Sequence, residues 1–266
     1  MIRSVQQKHD WPENNSELAT LRRDLQRELQ EAADFIHQKL PPRFVSDRME
    51  LDWQFIASSQ LGGDMFGLER VDKDQYLIYL LDVSGHGIGA SLLAVSIHNT
   101  LQQMLAFQSG PASPARIISG LNAAFQMEFN QNRFSTIWCG IVNFANHSIT
   151  YASGGHPTPF FFGPDLRPVP IHGGGLLVGV APDSEYEEYA VRFRPGCRLV
   201  LYSDGITEET TPDGKILGRE GFRRWLVGNY SQPAPRLSRV IDRLEAWAGG
   251  RSFADDVSLV ELNLKS

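Results

Sequence analysis

The chain has 266 residues, a hydrophobic fraction of 42% and a formal net charge of −6, the make-up of an ordinary globular protein with enough chain for one large domain or two small ones. It carries no long basic run, so nucleic acid and anionic membrane surfaces are not expected partners. No apolar stretch reaches the roughly 18–20 residues that cross a bilayer, and the first residues lack the apolar core of a signal peptide, which makes the cytoplasm the expected compartment.

Residues 1–15 are polar, hold Trp11-Pro12 and Asn14-Asn15, show no periodicity, and read as a tail or the end of a linker. With Ser16 as an N-cap, apolar residues then recur every three or four positions, at Leu18, Leu21, Leu25, Leu29, Ala32, Ile36 and Leu40, until Pro41-Pro42 stops the pattern. This predicts one amphipathic helix over 18–40. Its stripe can fold back onto the following domain as core, or pair with the same stripe of a second chain as a short coiled coil; the residues leave both open. Beyond Arg43, strands are expected over 49–59, 65–71 and 74–81, followed by a helix over 88–107 that opens directly after Gly85-His86-Gly87. A second helix starts at the cap-and-proline pair Ser113-Pro114 and runs through Phe129.

From Phe134 the pattern changes to short strands with turn residues between them, over 135–144, 148–155, 158–163 and 166–171, and then a loop at Gly173-Gly174-Gly175. Strands over 185–193 and 197–202, helices over 220–228 and 238–248, and a last strand over 257–264 complete an α+β chain. Its simplest arrangement is two packed antiparallel sheets with helices outside. Cys139 and Cys197 fall inside strand-like runs with no motif partner and read as small core residues, not a disulfide.

Acidic residues recur at the strand ends. Asp82 closes the apolar run 74–82, Asp64 follows Gly62-Gly63, Asp204 follows the run 197–202 and precedes Gly205, and Asp255-Asp256 leads into the last strand. A carboxylate directly after Tyr-Leu-Ile-Tyr-Leu-Leu is costly to bury unless a cation or a set of hydrogen bonds compensates it. Each motif alone also reads as a turn whose aspartate caps the backbone. Taken together they point to a metal centre, and all-oxygen ligands suit magnesium, manganese or calcium, not zinc.

The motifs GGD at 62–64, DVSGHG at 82–87, ST at 135–136, SGGHPTP at 153–159, LYSDGITE at 201–208 and ADDVSLV at 254–260 stand in the order and at about the spacing found in a known family. From about Val45 to the C-terminus the chain resembles the bacterial SpoIIE-type serine/threonine phosphatases of the metal-dependent (PPM, type 2C) superfamily. The resemblance implies an αββα sandwich over 45–266, preceded by a tail and a linker or coiled-coil helix over 1–44. It also implies two manganese or magnesium ions: Asp82 bridges them, Asp204 and Asp255 hold one, and Asp64 with the backbone carbonyl of Val83 serves the other. These same aspartates are the expected catalytic residues. Two-metal phosphoryl transfer needs no nucleophilic serine or cysteine.

His86 lies four residues beyond Asp82, farther than the proposed general acid of the eukaryotic relatives, and reads as a turn residue; His156 reads as structural too. Gly67 stands where many family members carry a further acidic residue, and the triple glycine replaces a proline-containing stretch. Asp256 competes with Asp255 for the ligand role, though the first of the pair matches the pattern better. The function implied is signalling by removal of phosphate from a serine or threonine of a small regulatory protein, of the anti-sigma-factor antagonist type. The expected setting is the output of a two-component or similar system with an upstream receiver or sensor domain, and a homodimer through residues 16–40. The rival from another class is an inactive phosphatase fold used as a binding adaptor. A nucleotide cyclase, which Gly-Gly-Asp alone would allow, leaves the remaining motifs unexplained.

Overall fold

The computed structural model describes residues 15–107, 110–230 and 236–265. Helix α1 (Asn15–His37) comes first, so all but the last residue of the expected polar tail lies outside the described residues. The helix stops before Leu40 because the chain tightens ahead of Pro41-Pro42: Lys39 N–H donates to Ile36 and Leu40 N–H to His37, three residues back in each case. The apolar stripe is divided. Leu18, Leu21 and Leu25 are exposed, whereas Ile36 packs on the domain core and the His37 ring lies 5.6 Å from that of Trp53.

Among the described residues, ten strands form two five-stranded antiparallel sheets. The first contains β1 (Phe44–Val45), β2 (Met49–Ile56), β7 (Phe160–Phe162), β9 (Arg198–Tyr202) and β10 (Val257–Leu264), in the order β1-β2-β10-β9-β7. The second contains β3 (Asp64–Arg70), β4 (Gln75–Val83), β5 (Ser135–Asn143), β6 (Ser148–Gly154) and β8 (Tyr189–Arg192), in the order β3-β4-β5-β6-β8. Helices α2 (Ile88–Phe107) and α3 (Pro114–Ala124) pack on the second sheet, while α5 (Gly218–Tyr230) and α6 (Arg236–Trp247) cover the first. The result is the expected sandwich of two sheets between helices. Strand β10 is central in its sheet and buried on nearly every residue, including its polar Ser258 and Glu261, because both of its faces are covered.

Several expected elements are shorter than their apolar patterns. The stretch 166–171 forms no strand: Pro168 and Pro170 have no N–H to give, and only Val169 N–H reaches Phe161. Pairing over 185–193 is confined to Tyr189–Arg192. Helix α3 ends at Ala124, and a 3₁₀ turn at Met127–Phe129 takes the place of its expected last turns.

Gly67 and Tyr79 face one another across the β3–β4 ladder. A side chain at Gly67 would run into the Tyr79 ring, whose hydroxyl lies 2.5 Å from Nδ1 of His98 on α2. The glycine that departs from the family pattern therefore makes room for a buried Tyr–His pair that fastens β4 to α2. Gly67→Ala should cost about 1–3 kcal/mol of stability by overpacking. A thermal melt indistinguishable from the parent chain would contradict this fit.

Candidate metal centre

The register brings the strand-end acids together. Asp64 and Asp82 are direct cross-strand partners of β3 and β4, and Asp82 also faces Thr136 on β5. At the corresponding end of the other sheet, β9 delivers Asp204 into a short helix α4 (Asp204–Thr207), and Asp255-Asp256 precede β10. The site lies where the two sheets meet at one end of the sandwich. Sequence reading placed Asp204 at the end of a strand; it is instead the first residue of this helical turn.

Close approach explains the flanking glycines. A Cβ at Gly63 would sit 2.8 Å from the Val83 carbonyl oxygen, so a glycine there leaves that oxygen open space. Any side chain at Gly205 would collide with the backbone of Asp256. The Ser203 hydroxyl donates to the Asp256 carbonyl at 3.1 Å and accepts from Ser258 N–H at 2.9 Å, which locks the start of α4 to the start of β10.

The paired aspartates of the last motif have separate positions. Asp256 is 3% exposed and its carboxylate accepts from Ser58 N–H (2.8 Å), Ser58 Oγ (3.0 Å) and Gly63 N–H (2.5 Å). Its oxygens are therefore engaged in holding β2, the glycine turn and β10 together. Asp255 is exposed, with Oδ1 accepting from Asp256 N–H at 2.8 Å. Sequence reading missed this clamp because Ser58 belongs to no motif and its partner is 198 positions away.

Asp64 is the reverse of Asp256. It is 2% exposed, and neither of its oxygens has a hydrogen-bond partner, the Ser258 and Ser203 hydroxyls lying near but short of good bonding geometry. Burial, then the charges of Asp82 and Asp256, hold its carboxyl well above the ordinary range, and the nearby Ser258 and Ser203 hydroxyls offset this only in part. Asp82 is pushed up to about 8 by burial first and by Asp204, Asp255 and Asp256 next. Asp204 is raised by burial, Asp255 and Glu208; Asp255 is raised by burial, which the hydrogen bond from Asp256 N–H opposes, with the Asp256 charge adding to the rise and His86 to the opposition.

Such a set is under-compensated by the protein alone. Among the described residues no three His, Cys, Asp or Glu side chains converge as a ready-made ligand set. Paired carboxylates, an open backbone carbonyl and an orphaned buried carboxylate fit hard cations that keep several waters, as magnesium does, better than a closed all-protein cage. The donor set therefore fits a hard divalent cation.

The two histidines of the motifs differ. His156 is 3% exposed, its Nδ1 lies 2.7 Å from Thr136 Oγ1, and burial pushes its pKa down to about 3, so it is a neutral brace beneath the site. His86 is exposed near Asp255.

A carboxyl with an ordinary pKa of 3.8 raised to about 8 binds more protons in the folded state than in the unfolded state across that interval. Stability therefore falls as pH rises through that window. The melting temperature of chelator-treated protein should drop between about pH 4 and pH 8, and added divalent cation should recover most of the loss near pH 8. A melting temperature that is flat or rising over this range would contradict the electrostatic picture.

Comparison with known proteins identifies the family and the fold. A family model described as Stage II sporulation protein E (SpoIIE) matches residues 72–265. The phosphoserine phosphatase RsbP of Bacillus subtilis is 27% identical over 188 residues, which is 69% of this chain and 46% of that protein. The phosphoserine phosphatase RsbU of the same organism is 27% identical over 251 residues, covering 93% of this chain and 73% of RsbU. The chain thus spans about half the length of the first relative and about three quarters of the second. Among solved structures, the SiaA-PP2C domain of Pseudomonas aeruginosa superposes with a TM-score of 0.80 at 19% identity, over 93% of this chain and 100% of that domain, and so has the same fold. With a family match over most of its length and this fold, the chain belongs to the SpoIIE family.

Proposed function

We propose that residues 45–266 are the catalytic domain of a metal-dependent serine/threonine phosphatase acting on a small phosphorylated regulatory protein of the anti-sigma-factor antagonist type. The observation that carries the reading is the buried, donor-less Asp64 carboxylate directly opposite Asp82. Phosphoserine phosphatases among the relatives support the substrate class. In this reading Asp82 would serve both of two manganese or magnesium ions, Asp204 and Asp255 would hold one, and Asp64 with the Val83 carbonyl would hold the other.

When bound, divalent cations would supply charge neutralisation at the phosphoryl oxygens and activation of water. The chain's own residues do the rest. Asp256, Ser58 and Ser203 hold the three strand ends in a fixed relation, which is the positioning that phosphoryl transfer depends on. Thr136 and His156 brace the strand beside Asp82. No side chain is required to become phosphorylated.

Residues 1–44 then act as a linker from an upstream receiver or sensor domain. Leu18, Leu21 and Leu25 are 54%, 62% and 56% exposed, a row that a second copy of the helix would cover. At its other end α1 borders a cavity of about 120 Å³, lined by Ile36 and His37 on one side and by Leu61 and Gly62, next to the Asp64 turn, on the other. Dimerisation of the helix could therefore bear on the site. Sedimentation should show a dimer that Leu21→Ser with Leu25→Ser reduces to monomer; a wild-type monomer would refute the seam.

Manganese-dependent release of phosphate from an aryl phosphate and from phosphoserine peptides tests the enzyme reading. Asp82→Asn and Asp204→Asn should each lower kcat by on the order of 10²–10³-fold. His86→Ala should cost less than about tenfold, since a general acid contributes roughly 10²–10⁴. Absence of turnover in wild type at any manganese or magnesium concentration, with partner binding retained, would favour the adaptor.

A further inference from the structure

Helix α2, whose Ala90 lies against Gly63 next to Asp64, and the segment that follows α3 enclose a groove of about 260 Å³. One wall is apolar: Leu92 and Leu93 of α2 line it together with Phe125 and Phe129. Leu92 is 63% exposed and Phe129 85%. Large apolar side chains gathered on one exposed patch mark a contact surface. The volume falls below the roughly 300–1,000 Å³ of small-molecule sites and suits one or two inserted side chains.

Arg133 supplies the charge in the polar part of this groove, which it shares with Ser96, Asn130 and Gln131. The chain reaches it through two successive non-glycine residues in the left-handed region, Gln131 (φ 55°) and Asn132 (φ 58°). That conformation is unfavourable for glutamine and persists only where the surroundings impose it, as strained backbone at functional sites does. Here hydrogen bonds impose it: Asn132 N–H donates to Met127 at 2.9 Å and Arg133 N–H to Asn130 at 2.9 Å. The next residue, Phe134, gives its N–H to Ser84 Oγ at 3.0 Å and accepts from Ser84 N–H at 2.9 Å, two residues after Asp82. Arg133 is thus fixed relative to the acidic cluster.

Its guanidinium has a neutral partner. Nη1 donates to Gln131 Oε1 at 2.6 Å, and among the described residues no carboxylate lies within ion-pair distance of it. It lies against Gly89 of α2, where a Cβ would come within 2.9 Å of Nη2, so only a glycine leaves it that place. Arg133 lies against the first turn of α2, which opens just after the His86 turn, and so is placed to meet a group flanking the transferred phosphoryl.

We propose that this groove receives the segment of the substrate protein flanking its phosphoserine, with an apolar side chain seated between Leu92 and Phe129 and an acidic side chain paired with Arg133. The assignment rests on the phosphoserine phosphatase reading above and makes Arg133 a specificity-determining residue. A half-buried arginine lacking its own carboxylate is complementary to an acidic partner and repels a basic one.

The test compares kcat/KM on two short phosphoserine peptides that share a leucine and differ only in Glu or Lys beside the phosphoserine. Wild type should prefer the Glu peptide. Arg133→Glu should lower the Glu-to-Lys ratio by about tenfold or more, chiefly through KM, and Arg133→Lys should preserve the preference. Phe129→Ser, at a position too exposed to endanger folding, should raise KM for the leucine peptides relative to versions with serine in place of leucine. Peptide turnover by wild type with a ratio unmoved in Arg133→Glu, or KM unmoved in Phe129→Ser, overturns the groove assignment and leaves the phosphatase reading standing. Wild-type hydrolysis of an aryl phosphate with no hydrolysis of any phosphoserine peptide overturns the phosphoserine reading and the groove with it.

Discussion

Mutual repulsion among carboxylates wholly or partly withdrawn from water is the constraint on which the rest of this structure depends. Asp64 and Asp82 face each other at a sheet end, Asp204 and Asp255 approach from the other sheet, and each is raised above the ordinary carboxylate range, burial being the first cause in every case. Left to itself, such a cluster lowers its cost by keeping protons, and Asp82 does so up to about pH 8. A protein whose only requirement was stability would have no use for it. Carboxylates arranged in this way are compensated well by divalent cations, which is the physical basis of the function proposed for the domain.

Keeping these groups together requires a frame that does not yield. The αββα sandwich supplies it by ending several strands at one place and tying those ends with hydrogen bonds. Asp256 is the centre of this frame: its carboxylate gathers Ser58 and Gly63 while its backbone carbonyl accepts from Ser203. Two adjacent aspartates thus have opposite positions, one engaged by the protein and one left exposed. His156 extends the frame beneath Thr136, and the Tyr79–His98 pair extends it to α2. In each case a neutral or hydrogen-bonded polar group is buried so that the charged groups can be held in place.

Much of this was legible in the sequence because strand ends, glycines and acids occur in a fixed order. The apolar run before Asp82 marked β4, and the glycines noted beside Asp64 and Asp204 stand where another backbone comes close, at Val83 and Asp256. The two-sheet architecture followed from the succession of short strands. What could not be read was set by distant partners. The Ser58–Asp256 bond joins residues far apart in the chain, and the space of Gly67 is filled by Tyr79 from the neighbouring strand. Strands were overextended at 166–171, where prolines interrupt pairing, and α3 was overextended to Phe129, where the chain turns to carry Arg133. The stripe of α1 carried both of its possible uses at once, Ile36 against the domain and Leu18 to Leu25 in the open.

Calorimetric titration of chelator-treated protein with manganese near pH 7.5 tests the central claim most directly, that the carboxylate cluster is balanced by divalent cations. The account predicts saturable binding accompanied by proton release, because Asp82, raised to about 8, must give up its proton as the ions bind, and it predicts loss of that binding in Asp82→Asn. Absence of saturable binding, or binding equally strong in Asp82→Asn with no proton release, would contradict it.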